Sequence, residues 1–321
     1  MKISNWLFVI AWFWVSALSV HAADTYPSRP IRLVVPSGAG GITDILARVI
    51  AQKLGERFTQ TVFVENRAGA SGVVGSQTIA NAAPDGYNLL MVFPSHVVNP
   101  SLYPSMPFDT VKAFAPITLV STVSSVLVVN AGTPARTVQE LIAFAKANPG
   151  KLNYGDVGSG ALNSLSAELF SSMAGAKLTQ VSYKGVPQIL TALLSGEIHM
   201  TWIATASTVV TQEKAGRLRP LGVTSRTRIA ALPHVPPIAD ALPGYEALGW
   251  NGILAPAGTP QTVIDRLHQE IVQVVRSAEF SQHLVTEGAT AVGNTPAEFD
   301  AIIRADIQKW ATVLKESARE K

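Results

Sequence analysis

Residues 34–54, VVPSGAGGITDILARVIAQKL, run from an apolar stretch through a glycine-rich turn into an amphipathic helical period. Strand, glycine loop and helix start together suit an anion. Glycines let the backbone approach closely, and the first helical amides carry unpaired N–H groups and partial positive charge. A second segment of this kind, YGDVGSGALNSL at 154–165, lies mid-chain. Each loop could hold one carboxylate through backbone amides. Neither is a nucleotide motif. Gly38-Ala39-Gly40-Gly41-Ile42-Thr43 ends in threonine where GxGxxG needs glycine, and no lysine before Lys53 completes a phosphate loop.

Residues for catalysis are scarce. The GxSxG elbow is absent, because Ser159 follows Val157-Gly158 and Ser71 precedes Gly72-Val73. With no cysteine there is no thiolate ligand or nucleophile. His96, His199, His234, His268 and His283 include no pair at helical ligand spacing. Only His96, in FPSHVVNP, follows a strand end and is placed to line a cleft; a hydrolase using Ser95 and His96 is the enzymatic alternative. No carboxylate pair stands at catalytic spacing. The expectation is a binding protein that needs neither metal nor cofactor.

Composition narrows the setting. Lys2, an apolar run from Trp6 to Val20 and then Val20-His21-Ala22 read as a secretory signal covering residues 1–22, cleaved near Ala22/Ala23. The run is about 15 residues, short of the ~20 that span a bilayer. The net charge of +3 is spread along the chain without a basic run, which argues against nucleic acid. About 300 residues after the signal favour two lobes.

Short β-branched runs alternate with helical periods: IRLVV (31–35), TVFVEN (61–66) and YNLLMV (87–92) are strands separated by helices. This βαβαβ order predicts a mostly parallel sheet covered on both faces. The pattern restarts at SVLVVN (125–130) and continues to RPLGVTS (219–225); two amphipathic helices, near 261–276 and 296–318, close the chain. The extended apolar segments 115–124 and 245–253 bracket the second unit. Lobe 1 is therefore 23–124 with 248–321, lobe 2 is 125–247, and a ligand held between lobes joined by two strands would be clamped.

Several segments in order along the chain carry a family resemblance: YPSRPIRLVVPSGAGGITDILARVIAQKL, VFVENRAGASGVVGSQTIANAAPDGYNLLM, NPSLYPSMPFDTVKAFAPIT, VSYKGVPQILTALLSGEI, AGRLRPLGVTSRTRIAALPHVPPIAD and WNGILAPAGTP. The chain resembles the periplasmic substrate-binding proteins of tripartite tricarboxylate transporters, the Bug or TctC-like family. The resemblance implies an α/β Venus-flytrap fold of the type II binding-protein kind and a small organic carboxylate as ligand. It also implies transient contact with large and small permease subunits, by a monomer in the periplasm. The family's PGG-x-TD loop falls on Ala39, Gly40, Gly41, Ile42, Thr43 and Asp44, and its distal grip on Gly158, Ser159, Gly160 and Ala161. Tyr183 begins its YKG segment. Asp44 would repel an anion and is expected to cap the helix or order the loop. Side-chain donors are expected from Ser37, Thr43, Ser95, Ser159 and Asn163, with Gly38 and His96 also at the cleft.

Two departures bear on specificity. Relatives often carry Phe-Asp where this chain has Trp202-Ile203. Either Ile203 simply packs in the core, or the pocket has lost an acidic partner for an amine; Trp202 adds a flat apolar wall. Relatives often have histidine at Ser164 and phenylalanine at Ser37. The ligand expected is a dicarboxylate with an apolar middle, linear or aromatic, rather than an amino acid. Feeding a sensor kinase is the alternative to feeding a permease.

Overall fold

The computed structural model describes residues 26–158, 160–285 and 288–319; the signal segment and Ser159 lie outside them. Strand β1 (Ile31–Val35) leads through the first glycine loop into helix α1 (Ile42–Phe58). Next come β2 (Val62–Asn66), α2 (Val73–Ala80), β3 (Asn88–Val92), α3 (Ser95–Leu102) and the long β4 (Phe114–Ser124). The middle of the chain holds β5 (Val126–Asn130), α4 (Val138–Ala147), β6 (Asn153–Asp156), α5 (Leu162–Ala174), β7 (Thr179–Ser182), α6 (Val186–Ser195), β8 (Met200–Ile203), α7 (Ala206–Lys214) and β9 (Leu218–Val223). β10 (Leu248–Pro256), α8 (Gln261–Val275), α9 (Ala278–Val285), β11 (Ala289–Ala291) and α10 (Pro296–Arg319) complete it. Sequence reading omits α3, β8, α7, α9 and β11 from this succession; each is a short element.

Two sheets form, ordered β11-β4-β10-β3-β1-β2 and β7-β6-β8-β5-β9. They are mixed rather than mostly parallel. β1, β2 and β3 run parallel, but β10 is antiparallel to β3 and β4, and β5 is antiparallel to β8 and β9. The cause is the crossing: β4 carries the chain out of the first sheet and β10 brings it back, so they must run in opposite directions. At the crossing, Ser125 N–H donates to Thr224 Oγ1 at 2.8 Å and Thr224 N–H donates to Ser125 O at 2.9 Å.

Side chains alternate across each sheet as strand geometry requires. Ile31, Leu33, Val35, Leu89 and Met91 bury under α1 and α8, while Val34, Leu90 and Val92 face the opposite core with Phe299 of α10. In the second sheet Leu127 and Val129 turn to one core and Val126 and Val128 to the other. The core containing Val34 and Phe299 continues without a break to Leu127, Tyr154 and Phe170, with Trp310 of α10 in the same cluster. Thus α10 packs on both lobes, and its Glu316 Oε2 accepts from Ser172 Oγ of α5 at 2.9 Å.

Gly252 of β10 sits directly under the Phe299 ring, where an added methyl would collide with Phe299. Gly252→Ala is expected to destabilise the protein by about 2 kcal/mol through overpacking. Denaturant unfolding followed by circular dichroism measures it, and the midpoint should fall without loss of cooperativity.

Candidate functional site

The starts of several helices meet at one cavity of about 350 Å³ between the two sheets. Ile42 and Thr43 open α1, Pro94 and Ser95 open α3, and Ala161 and Leu162 open α5; Ala204 precedes α7. None of these four helices has a side-chain hydrogen bond capping its N-terminus. Part of the first turn is already paired, since His96 N–H donates to Phe93 O, Val97 N–H to Pro94 O, Ser164 N–H to Asn163 Oδ1 and Thr208 N–H to Thr205 O. The amides ahead of these, such as those of Ser95 and Leu162, are left to water or to a ligand, and the four dipoles add positive potential at one place. Among the described residues no charged side chain lines the cavity, and Val123, Val157, Phe93 and Trp250 supply an apolar middle.

The first loop is held by a buried carboxylate. Asp44 accepts from Gly40 N–H at 2.9 Å, Arg48 Nε at 3.0 Å and Asn66 Nδ2 at 2.9 Å. Burial alone would raise its pKa. The bonds from Arg48, Gly40 and Asn66 outweigh that and hold it below the usual carboxylate range. Gly40 takes φ +87°, a conformation glycine adopts without a Cβ clash. The second loop has a counterpart that sequence reading did not single out. Asp156, fully buried at the end of β6, accepts from Gly158 N–H at 3.1 Å, from Ser182 Oγ at 2.8 Å and from Gln180. A buried carboxylate directly before a glycine loop was the available signal.

Gly38, Ala39, Gly40 and Gly41 are exposed and lead into Ile42 and Thr43 at the cavity; Ser37 is half-buried behind them, its carbonyl accepting from Asn66. Thr43 and Ser95 reach the cavity, but their hydroxyl protons are already spent. Thr43 Oγ1 donates to Asn251 Oδ1 at 2.8 Å, and Ser95 Oγ donates to Ser71 O at 2.9 Å. Val157, Gly160 and Ala161 line the cavity, whereas Gly158 is not part of the lining. Asn163 is buried one turn into α5 with Oδ1 accepting from Ser164 N–H, and is not part of the lining. Ser71, Asn251 and Trp250 line the cavity and were missed, since long sequence separations hide their approach.

Four expected positions sit elsewhere. Trp202 and Ile203 face opposite sides of β8, so that Trp202 packs edge-on against Tyr154 and Phe170 while Ile203 enters the other core. Neither lines the cavity. Tyr183 donates its hydroxyl to Glu197 at 3.0 Å, away from it. His96 turns inward, 4% exposed, against Phe108 and Phe114. Consecutive helical residues diverge by about 100°, so Ser95 and His96 serve different neighbours and form no nucleophile–base pair.

Residues 46–318 match the family described as the tripartite tricarboxylate transporter family receptor. The chain belongs to that family. Protein BugT of Bordetella pertussis is 36% identical over 299 residues, covering 92% of this chain and 91% of BugT. Rpa4515 of R. palustris, whose structure holds adipate, is 34% identical with a TM-score of 0.78, over 91% of this chain and 98% of that one. MatC of Rhodopseudomonas palustris, with bound malate, is 25% identical with a TM-score of 0.75, over 90% and 99% of the two chains. This member of the family thus has the two-lobed binding-protein fold. Its family is a periplasmic solute-binding one, and no helix among the described residues is long and apolar enough to cross a membrane.

Burial lowers the His96 pKa from 6.5 to about 4, against a smaller opposing effect of the Thr110 backbone. The unfolded chain therefore binds the proton first as pH falls. The contribution of His96 to stability is complete above pH 6.5 and is lost as pH drops towards 4. His96→Phe is expected to remove roughly 2–3 kcal/mol of the stability difference between about pH 7.5 and 4.5. Paired denaturant titrations at the two pH values, wild type against variant, measure it.

Proposed function

We propose that this receptor captures a small dicarboxylate with an apolar middle, linear or aromatic, and presents it to a membrane permease. The observation that carries the reading is the meeting of uncapped helix N-termini from both sheets at a cavity without charged lining. A carboxylate at α1 and α3 and another at α5 would each exchange water for backbone N–H donors. Hydrogen bonds to a charged group contribute roughly 1.5–3 kcal/mol each. Adipate in one relative and malate in another support a dicarboxylate. The absence of an acidic lining residue argues against an α-amino group.

Binding between lobes that divide at 124/125 and 247/248 would favour their closed arrangement, because only there do both sets of amides reach one ligand. The closed form is then what the permease subunits recognise, with the receptor acting as a periplasmic monomer after loss of residues 1–22. The ligand leaves unchanged; no group at the cavity is arranged to react with it.

Thermal shift of the mature protein against succinate, adipate, terephthalate, citrate and aspartate tests this, with the strongest stabilisation expected from a dicarboxylate. No shift with any of them would remove the assignment. Gly41 has φ −78° and open space where its Cβ would stand, so Gly41→Val tolerates folding yet crowds the start of α1. Calorimetry should show adipate affinity reduced at least about a hundredfold, the loss of two charge-assisted bonds, with melting still cooperative.

A further inference from the structure

The turn between β2 and α2 carries two non-glycine residues in left-handed conformation, Ala70 with φ +45° and Ser71 with φ +52°. Glycine would adopt this backbone without cost, whereas a side chain there is strained. Strain of this kind persists where the surroundings enforce it. The surroundings here are one face of α3 and its following residue. Ser95 Oγ and Asn99 Nδ2 donate to Ser71 O at 2.9 and 3.1 Å, and Tyr103 Oη donates to Ser71 Oγ at 3.4 Å. Ser95 and Asn99 are themselves buried, so their donors are committed to this one carbonyl.

The consequence lies in the hydroxyl. Thr43, Ser95 and Trp250 have given their single side-chain donors to Asn251, Ser71 and Asp306. Ser71 Oγ accepts from Tyr103, which leaves its own proton free to donate, and Ser71 lines the cavity. We infer that Ser71 is a ligand-binding residue that donates its hydroxyl to a carboxylate oxygen at the α1–α3 end, with Ser95, Asn99 and Tyr103 as its positioning residues. This rests on the carboxylate reading above and adds to it a side chain that selects for an acceptor at this point. The same helix faces the other lobe through Val98 and Leu102, which lie beside Gly160. Lobe closure and the placement of Ser71 thus share one rigid element.

Adipate titration by calorimetry of the mature wild type, Ser71→Gly, Ser71→Ala and Tyr103→Phe tests the assignment; succinate or terephthalate replaces adipate if wild type binds it more tightly. Ser71→Gly should melt no lower than wild type, since glycine suits the backbone, yet bind about tenfold more weakly, as should Ser71→Ala. Tyr103→Phe should lose about two- to threefold by freeing the hydroxyl's orientation. Binding by both Ser71 variants within about twofold of wild type, while Gly41→Val has lost it, would overturn the Ser71 assignment and leave the carboxylate reading standing. Failure of wild type to bind any of the acids would overturn both.

Discussion

Two buried carboxylates, Asp44 and Asp156, hold the loops on which the cavity is built. Each accepts a backbone N–H from a glycine of its own loop, Gly40 or Gly158, and fills its remaining lone pairs from side chains. A carboxylate removed from water is costly unless its acceptors are satisfied. The loop conformation that satisfies it is therefore strongly preferred. Negative charge so near the proposed carboxylate site would be self-defeating if it were bare. At Asp44 the Arg48 guanidinium offsets it, and at Asp156 hydroxyl, amide and backbone donors surround it.

With the loops held, the division of donors follows. Several side-chain donors around the cavity, those of Thr43, Ser95 and Trp250, are turned inward to hold the protein together, and under the proposed function the unpaired backbone amides of the helix starts serve the ligand. Amides held by a helix need little rearrangement when an anion arrives, which lowers the cost of binding. Under the proposed function, neutral walls would make shape and apolar contact the basis of discrimination among carboxylates. The antiparallel pair β4 and β10, with α10 packed on both lobes, sets how the two halves meet. The unbroken apolar core through Trp310 and Phe170 ties the helical return to the second lobe as well as to the first.

The failures of sequence reading are local and share a cause. Trp202 and Ile203 lie on a strand buried on both faces, where an apolar residue reads the same whether it meets a ligand or a core. His96 follows the strand end as a cleft residue would, yet the helix turn sends it under Phe108 and Phe114. Thr43 and Ser95 reach the cavity, but their hydroxyl partners, Asn251 and Ser71, come from distant segments.

Local pattern in the sequence was enough to determine the longer strands and helices and their alternation, the two glycine loops before α1 and α5, and family membership. These depend on neighbours within a few residues: period, turn chemistry and the order of motifs. Only the tertiary structure decided which helix starts share a cavity, which donors remain free there, and that β4 and β10 make both sheets mixed. Those outcomes depend on contacts between residues such as Thr43 and Asn251, whose separation along the chain leaves no periodic trace for a sequence to show.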